Sequence, residues 1–201
     1  GKAVFHAAEF TYSVIADASS CVFGDSIAAT FHLLAGWLTA GLADLGVAAE
    51  ISPVLDALEK QALFKNPSCF SSTSGYEISV QGKKLIGSAQ RRRQNVMLQH
   101  GSLLSGTLYL NVAGLLHQSA QKRRNMREYL AAHTICLKQL IAPVPDFETI
   151  AAALTYAWRE KIKVAKVQAD LSGEEWLQAK KLQPEFEVKA AKRAQWHHPG
   201  K

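Results

Sequence analysis

Apolar positions along the chain follow two different periods, and the changes of period predict the elements. Phe10-Thr11-Tyr12-Ser13-Val14-Ile15 alternates large and small side chains and is rich in strand formers; Ala3-Val4-Phe5 ahead of it predicts a first short strand. The period then lengthens. Ile27, Phe31, Leu34, Leu38, Leu42 and Leu45 recur every three or four residues, predicting a helix over 26–45 with Asp25 as N-cap and Gly46 as the C-cap glycine. A short strand over 47–51 and a helix opened by Pro53 and running to 64 come next, and 65–75, rich in Ser and Asn, reads as a loop. Strands over 76–80 and 83–90 flank Gln81-Gly82 as a hairpin with a two-residue turn, and two more strands are expected over 95–104 and 107–112.

The rest of the pattern is helical: a basic helix over 121–132, then one capped by Asp146 with Phe147, Ile150, Leu154, Trp158 and Ile162 on one face. Ser172 and Glu175 form a capping-box pattern for another. Strands, one long helix, more strands and a helical end predict the α+β class, with a mainly antiparallel sheet flanked by helices.

Composition narrows the classes. A chain of 201 residues, 48% hydrophobic and 20% charged, has the makings of one globular domain with a core; it is expected over 1–183, with a basic, partly disordered tail over 184–201. No apolar run reaches the ~18 uninterrupted residues of a membrane span. The stretch 27–47 contains His32, Thr39 and Asp44 and reads as a core helix, so no membrane partner is expected. No basic-then-apolar leader opens the chain. Cys21, Cys69 and Cys136 are odd in number and widely spaced, neither a disulfide framework nor a metal pattern, which points to a reducing, cytoplasmic setting.

The net charge of +6 gathers in Arg91-Arg92-Arg93, Lys122-Arg123-Arg124, Lys161, Lys163, Lys166 and the tail. A basic surface favours acidic partners of any kind, and a solvated face explains any single cluster equally well. The clusters carry no interleaved aromatics, so nucleic acid is not the expected partner.

The segment CFSSTSGYEISVQGKKLIGSAQRRRQNVMLQHGSLL, from Cys69 to Leu104, holds the candidate chemistry. It sets a cysteine in a polar loop ahead of Lys84 at the start of the hairpin's second strand. A thiolate is the competent nucleophile, and a nearby ammonium lowers a thiol from its ordinary ~8.5. Strand alternation places Lys84, Ile86, Ser88 and Gln90 on one face and Leu85, Gly87 and Ala89 on the other. The small run Gly87-Ser88-Ala89 leaves room for close approach, with backbone amides that could bind an oxyanion. Read from residue types alone, a lone cysteine is more often buried and inert than nucleophilic, and a hairpin lysine is usually solvated. That bland reading is given to Cys21 and Cys136, and to His32, His117, His133, His197 and His198.

Gly82-Lys83-Lys84-Leu85-Ile86-Gly87-Ser88-Ala89-Gln90-Arg91, followed closely by Leu98-Gln99-His100-Gly101-Ser102-Leu103-Leu104, resembles the central signature of the biotin/lipoate protein ligase superfamily. Gly1-Lys2-Ala3-Val4-Phe5-His6, with Thr11-Tyr12-Ser13, resembles its glycine-rich loop and the following strand. The resemblance runs to about residue 140, and Cys69-Phe70 makes it most similar to the octanoyltransferases common in Gram-positive bacteria. It implies a class II synthetase-like catalytic domain. It also implies that Cys69 is an acyl-thioester nucleophile, that Lys84 activates it, and that His6, Gly87, Ser88, Ala89, His100 and Gly101 line the acyl site. The implied reaction moves an octanoyl or lipoyl group from acyl carrier protein to a lysine of a lipoyl domain or glycine-cleavage H protein, with no cofactor and no metal. ATP-dependent lipoate ligation, which would need ATP and Mg, and amidotransfer between two proteins are the enzymatic alternatives. Members of the family carry further residues ahead of the glycine-rich loop, so the resemblance implies an N-terminally incomplete domain, the missing residues being on another polypeptide, lost, or part of a longer chain. A non-catalytic subunit completed by a separate chain supplying N-terminal strands is the alternative of another class.

Overall fold

The computed structural model describes residues 4–24, 26–52, 76–163 and 170–186. The chain divides into compact units of Gly1–Val164 and Ala165–Lys201, each taken by itself. The first is built on an antiparallel five-stranded sheet. Its strands are β1 (Glu9–Asp17), β2 (Glu50–Ile51), β3 (Ile78–Val80), β4 (Lys83–Arg93) and β5 (Val96–Leu104), in the order β1-β5-β4-β3-β2. The hairpin forms where expected. Val80 pairs with Lys83 across Gln81 and Gly82, whose φ of 53° and 71° are the two positive values a type I′ turn requires. β4 and β5 then pair from Ile86 with Leu103 to Arg93 with Val96, and β1 closes the edge from Glu9 with Leu104 to Asp17 with Val96.

One face of the sheet is packed by α1 (Ile27–Asp44) and α4 (Phe147–Ile162). Ser26, not Asp25, caps α1: its Oγ accepts from the Ala29 amide at 3.0 Å. By composition α1 could span a membrane, with a mean hydropathy of 1.2 over 18 residues. In the fold it is a core helix. Leu34, Trp37, Leu38 and Leu42 are buried against Phe10, Val14, Ile86, Met97 and Leu103, while Ile27, expected on that face, is exposed. Asp146 caps α4 by accepting from Thr149 N at 2.9 Å. Trp37 Nε1 donates to the Leu154 carbonyl at 2.7 Å, where the two helices meet.

Among the described residues, the opposite face is covered at one end. Two elements read as strands are something else there. Residues 4–7 are irregular, with Val4 and Phe5 packed on a second apolar cluster around Leu104, Tyr109, Leu110, Met126 and Leu130. Residues 108–111 form a 3₁₀ turn leading into α2 (Val112–Leu115), followed by α3 (Ala120–His133). Alternation in Leu108-Tyr109-Leu110 mimicked a strand, but the stretch is a 3₁₀ turn from which Tyr109 and Leu110 turn inward onto the second cluster. In the second unit α5 (Gly173–Phe186) carries its capping box, Glu175 N donating to Ser172 Oγ and Ser172 N to Glu175 Oε2.

The α1–α4 contact depends on Gly41. A Cβ there would lie 2.6 Å from Leu154 Cδ2 and 3.1 Å from Leu154 Cα. Gly41→Ala should cost about 1–3 kcal/mol by forcing the helices apart, seen as a lower urea midpoint at constant m-value. An unchanged midpoint would show that the two helices part at Gly41 without cost.

Candidate functional site

Strand alternation fails at one point in β4, and that point sets the chemistry. Ser79 pairs with Lys84 but Ile78 pairs with Ile86, so Leu85 is the extra residue of a β-bulge. Leu85 and Ile86 both turn to the core with Ile78. Lys84 therefore points to the other face, beside Ser79 and Glu77, not to the face of Ile86 and Ser88 as regular alternation predicts. Past Leu104, β4 pairs with Thr134 at Lys84, whose carbonyl accepts from Ile135 N at 3.0 Å.

In this position Lys84 is buried, with 6% of its side chain exposed, and Nζ donates to Glu77 Oε1 at 2.6 Å; the Glu77 side chain is 4% exposed. A buried charge pair persists only where geometry and further contacts offset the loss of water. Thr134 supplies one wall: its hydroxyl donates to the Leu130 carbonyl at 2.6 Å and meets the Tyr109 hydroxyl.

Along the same face, toward its open end, His6, Thr11, Ser13, Leu98, His100 and Ser102 line a shallow cavity of about 390 Å³. Gly101 also borders it, so three of the expected site residues, His6, His100 and Gly101, converge there. His6 Nδ1 meets Glu9 Oε1 at 2.5 Å, the Glu9 side chain being 5% exposed and its second oxygen having no hydrogen-bond partner. An ionised carboxylate only accepts, so in that contact Nδ1 is the donor.

Gly101 is held to glycine by three neighbours. A Cβ would fall 2.6 Å from Tyr12 Cε1, 2.7 Å from the Gly87 carbonyl oxygen and 2.9 Å from Ser88 Oγ. Ser88, in turn, faces the α1 side, where the Tyr12 hydroxyl contacts its Oγ at 2.8 Å. Burial pushes the Tyr12 phenol up, against opposing hydrogen bonds to Ser88 and Gln99. Ser88 thus supports the cavity floor from behind. Gly87 and Ala89 lie across from Ser102 and His100 in the β5 ladder.

Cys69, the expected nucleophile, lies outside the described residues. Glu77, Glu9 and Thr134 were missed by sequence reasoning. The alternation of Glu77-Ile78-Ser79-Val80 carried a signal for Glu77, a carboxylate on the face opposite two core residues. The bulge that brings Lys84 to it left none. Among the described residues no three His, Cys, Asp or Glu side chains come together as a metal site.

Cys136 follows the bland reading. It is fully buried, burial pushes its thiol up, and its Sγ lies 3.2 Å from Gln139 Oε1. A thiol shifted upward stays protonated at neutral pH. Iodoacetamide at pH 7.5 should therefore modify Cys136 only after denaturation, as read by peptide mass mapping; native-state labelling at the rate of a free thiol would contradict its assignment as inert.

The family model described as the lipoyl protein ligase A/B catalytic domain matches residues 1–159. Proteins named octanoyltransferase LipM are similar along most of the chain. The one from Kyrpidia tusciae is 32% identical over 191 residues, 92% of this chain and 69% of its own length. That from an Exiguobacterium species is 32% identical, covering 80% and 59%, and that from Bacillus subtilis 28%, covering 87% and 64%. The chain thus spans roughly three-fifths to two-thirds of these curated relatives. Among solved structures, the fold matches a bi-partite lipoate protein ligase from Thermoplasma acidophilum at a TM-score of 0.73 and 15% identity, over 94% of this chain and 66% of that one. It also matches lipoate-protein ligase A bound with ATP at 0.63 and 15% identity, over 87% and 60%.

Proposed function

The chain belongs to the lipoyl protein ligase A/B catalytic-domain family, and from that premise we propose that it is an acyltransferase of lipoate assembly. It moves an octanoyl or lipoyl group from acyl carrier protein to a lysine of a lipoyl domain or glycine-cleavage H protein, through a thioester on Cys69. The observation that carries the reading is Lys84, a buried ammonium turned by the bulge onto the sheet face that also bears the His6–His100 cavity. The names of the relatives support the reaction class.

The reaction has two steps. The Cys69 thiolate attacks the donor thioester carbonyl, the carrier's thiolate leaves and takes a proton, and the acyl group rests on Cys69. The acceptor lysine amine then attacks that thioester, the C–N bond forms, the C–S bond breaks, and the amine's proton passes to solvent or a nearby base. Lys84 favours the thiolate in both steps, as attacking and as leaving group. The acyl chain occupies the cavity bordered by His6, His100 and Gly101. No ATP enters, because thioester exchange is nearly balanced and aminolysis runs downhill. The cytosol, where carrier and acceptor proteins occur, is the proposed setting. A separate chain supplying N-terminal strands is proposed as a further partner, and co-purification tests it.

Incubation with octanoyl-carrier protein should give an octanoyl adduct by intact mass that vanishes in Cys69→Ser and forms at least about tenfold more slowly in Lys84→Met. Absence of the adduct, with pyrophosphate released from lipoate and ATP, would replace this reading by the ligase one.

A further inference from the structure

The layer built over Lys84 carries a charge pattern that the acyl-transfer chemistry does not use. Met126 and Leu130 of α3 are buried against Leu104, Tyr109 and Leu110. Arg123, Arg124 and Arg127 on the same helix are exposed, and with Asn111 and Leu115 they line a cleft of about 580 Å³ between α2 and α3. Arg124 Nη2 donates to Gln121 Oε1 at 2.8 Å and Arg127 Nη1 to Asn111 Oδ1 at 3.4 Å. These contacts are neutral. The ion pairs among the described residues, His6–Glu9 and Lys84–Glu77, involve none of the three guanidiniums. Leu115, 70% exposed, adds an apolar wall. Three guanidiniums that form no ion pair among the described residues, beside the exposed Leu115, complement an acidic, amphipathic helix on a partner.

Helix α3 connects this cleft to the site. It ends at His133, and the next residue, Thr134, bridges Lys84. At ~1.5 Å of rise per residue, the arginines lie roughly 10–16 Å along the axis from Thr134. A carrier protein presents its thioester on a phosphopantetheine arm with about four residues' worth of chain atoms, on the order of 15 Å when extended. The two lengths match.

We propose that the α2–α3 cleft is the docking site for the acidic carrier protein of the donor thioester. Arg123, Arg124 and Arg127 pair with its carboxylates and its arm phosphate, and the arm runs along α3 to Lys84. The inference rests on the acyl-transfer reading and adds where the donor sits.

The test uses the full chain and the variant Arg123→Glu/Arg124→Glu/Arg127→Glu, with the triple Gln substitution as a milder companion. Binding of holo-carrier protein is measured by fluorescence anisotropy, and Cys69 acylation is followed from octanoyl-carrier protein and from octanoyl-pantetheine, which lacks both the protein and the phosphate. The expected result is carrier affinity and kcat/KM lowered at least about tenfold, mainly through KM, with loss of salt dependence. Acylation from octanoyl-pantetheine stays within about twofold of the wild type, which shows an intact fold and site. Equal slowing with both donors, or unchanged carrier binding, overturns the proposal. So does a defect confined to transfer onto the lipoyl domain, which would give the cleft to the acceptor. Carrier binding that depends on the arginines in a protein that never acylates Cys69 would uphold the docking site and reject the acyl-transfer reading.

Discussion

A lysine ammonium and a glutamate carboxylate, 2.6 Å apart and almost withdrawn from water, set the terms for this structure. Two isolated charges in that position would each cost several kcal/mol. They are retained because the backbone brings them together from adjacent strands. The type I′ turn at Gln81 and Gly82 fixes the hairpin register, and the bulge at Leu85 rotates Lys84 away from the core. The Thr134 bridge occupies the strand edge that β5 vacates after Leu104. The turn and the bulge are local and the Thr134 bridge is long-range, and all three fix the backbone that carries Lys84.

The sheet's two faces then divide the work. On the side of α1 and α4, apolar side chains of the sheet and the two helices pack together, and polar groups there are paired: Tyr12 with Ser88, Gln90 with Gln99, and Arg92 with the Thr30 hydroxyl. That face supplies the rigidity. The other face carries Lys84, Glu77, His6, Glu9, His100 and Ser102, with α2 and α3 covering one end and the cavity opening at the other. A polar face backed by a close-packed core holds reactive side chains in place with little backbone freedom.

Much of this was legible in the sequence. The hairpin announced itself through Gln81-Gly82 between alternating segments, α4 through Asp146 and a single apolar stripe, and the site through the motif around Lys84. What the sequence concealed has physical causes. Alternation describes a regular ladder, and the extra residue at Leu85 reverses it without any change in residue type. Val4, Phe5, Tyr109 and Leu110 pack in one cluster with Leu104 and Met126, and burial alone does not distinguish a strand from an irregular cover. Glu9 looks like an ordinary solvated acid until the chain is folded, since its burial comes from the packed structure and not from residue type.

The most direct test of this account is a double-mutant cycle on folding stability with Glu77→Leu, Lys84→Met and the combination, measured by urea unfolding. If the pair is buried and coupled as described, each single substitution breaks a buried ion pair and costs about 3–5 kcal/mol, while the double variant loses at least ~2 kcal/mol less than the sum of the two. Single effects that are small and simply add would mean that the two side chains are solvated and independent, and would contradict the account.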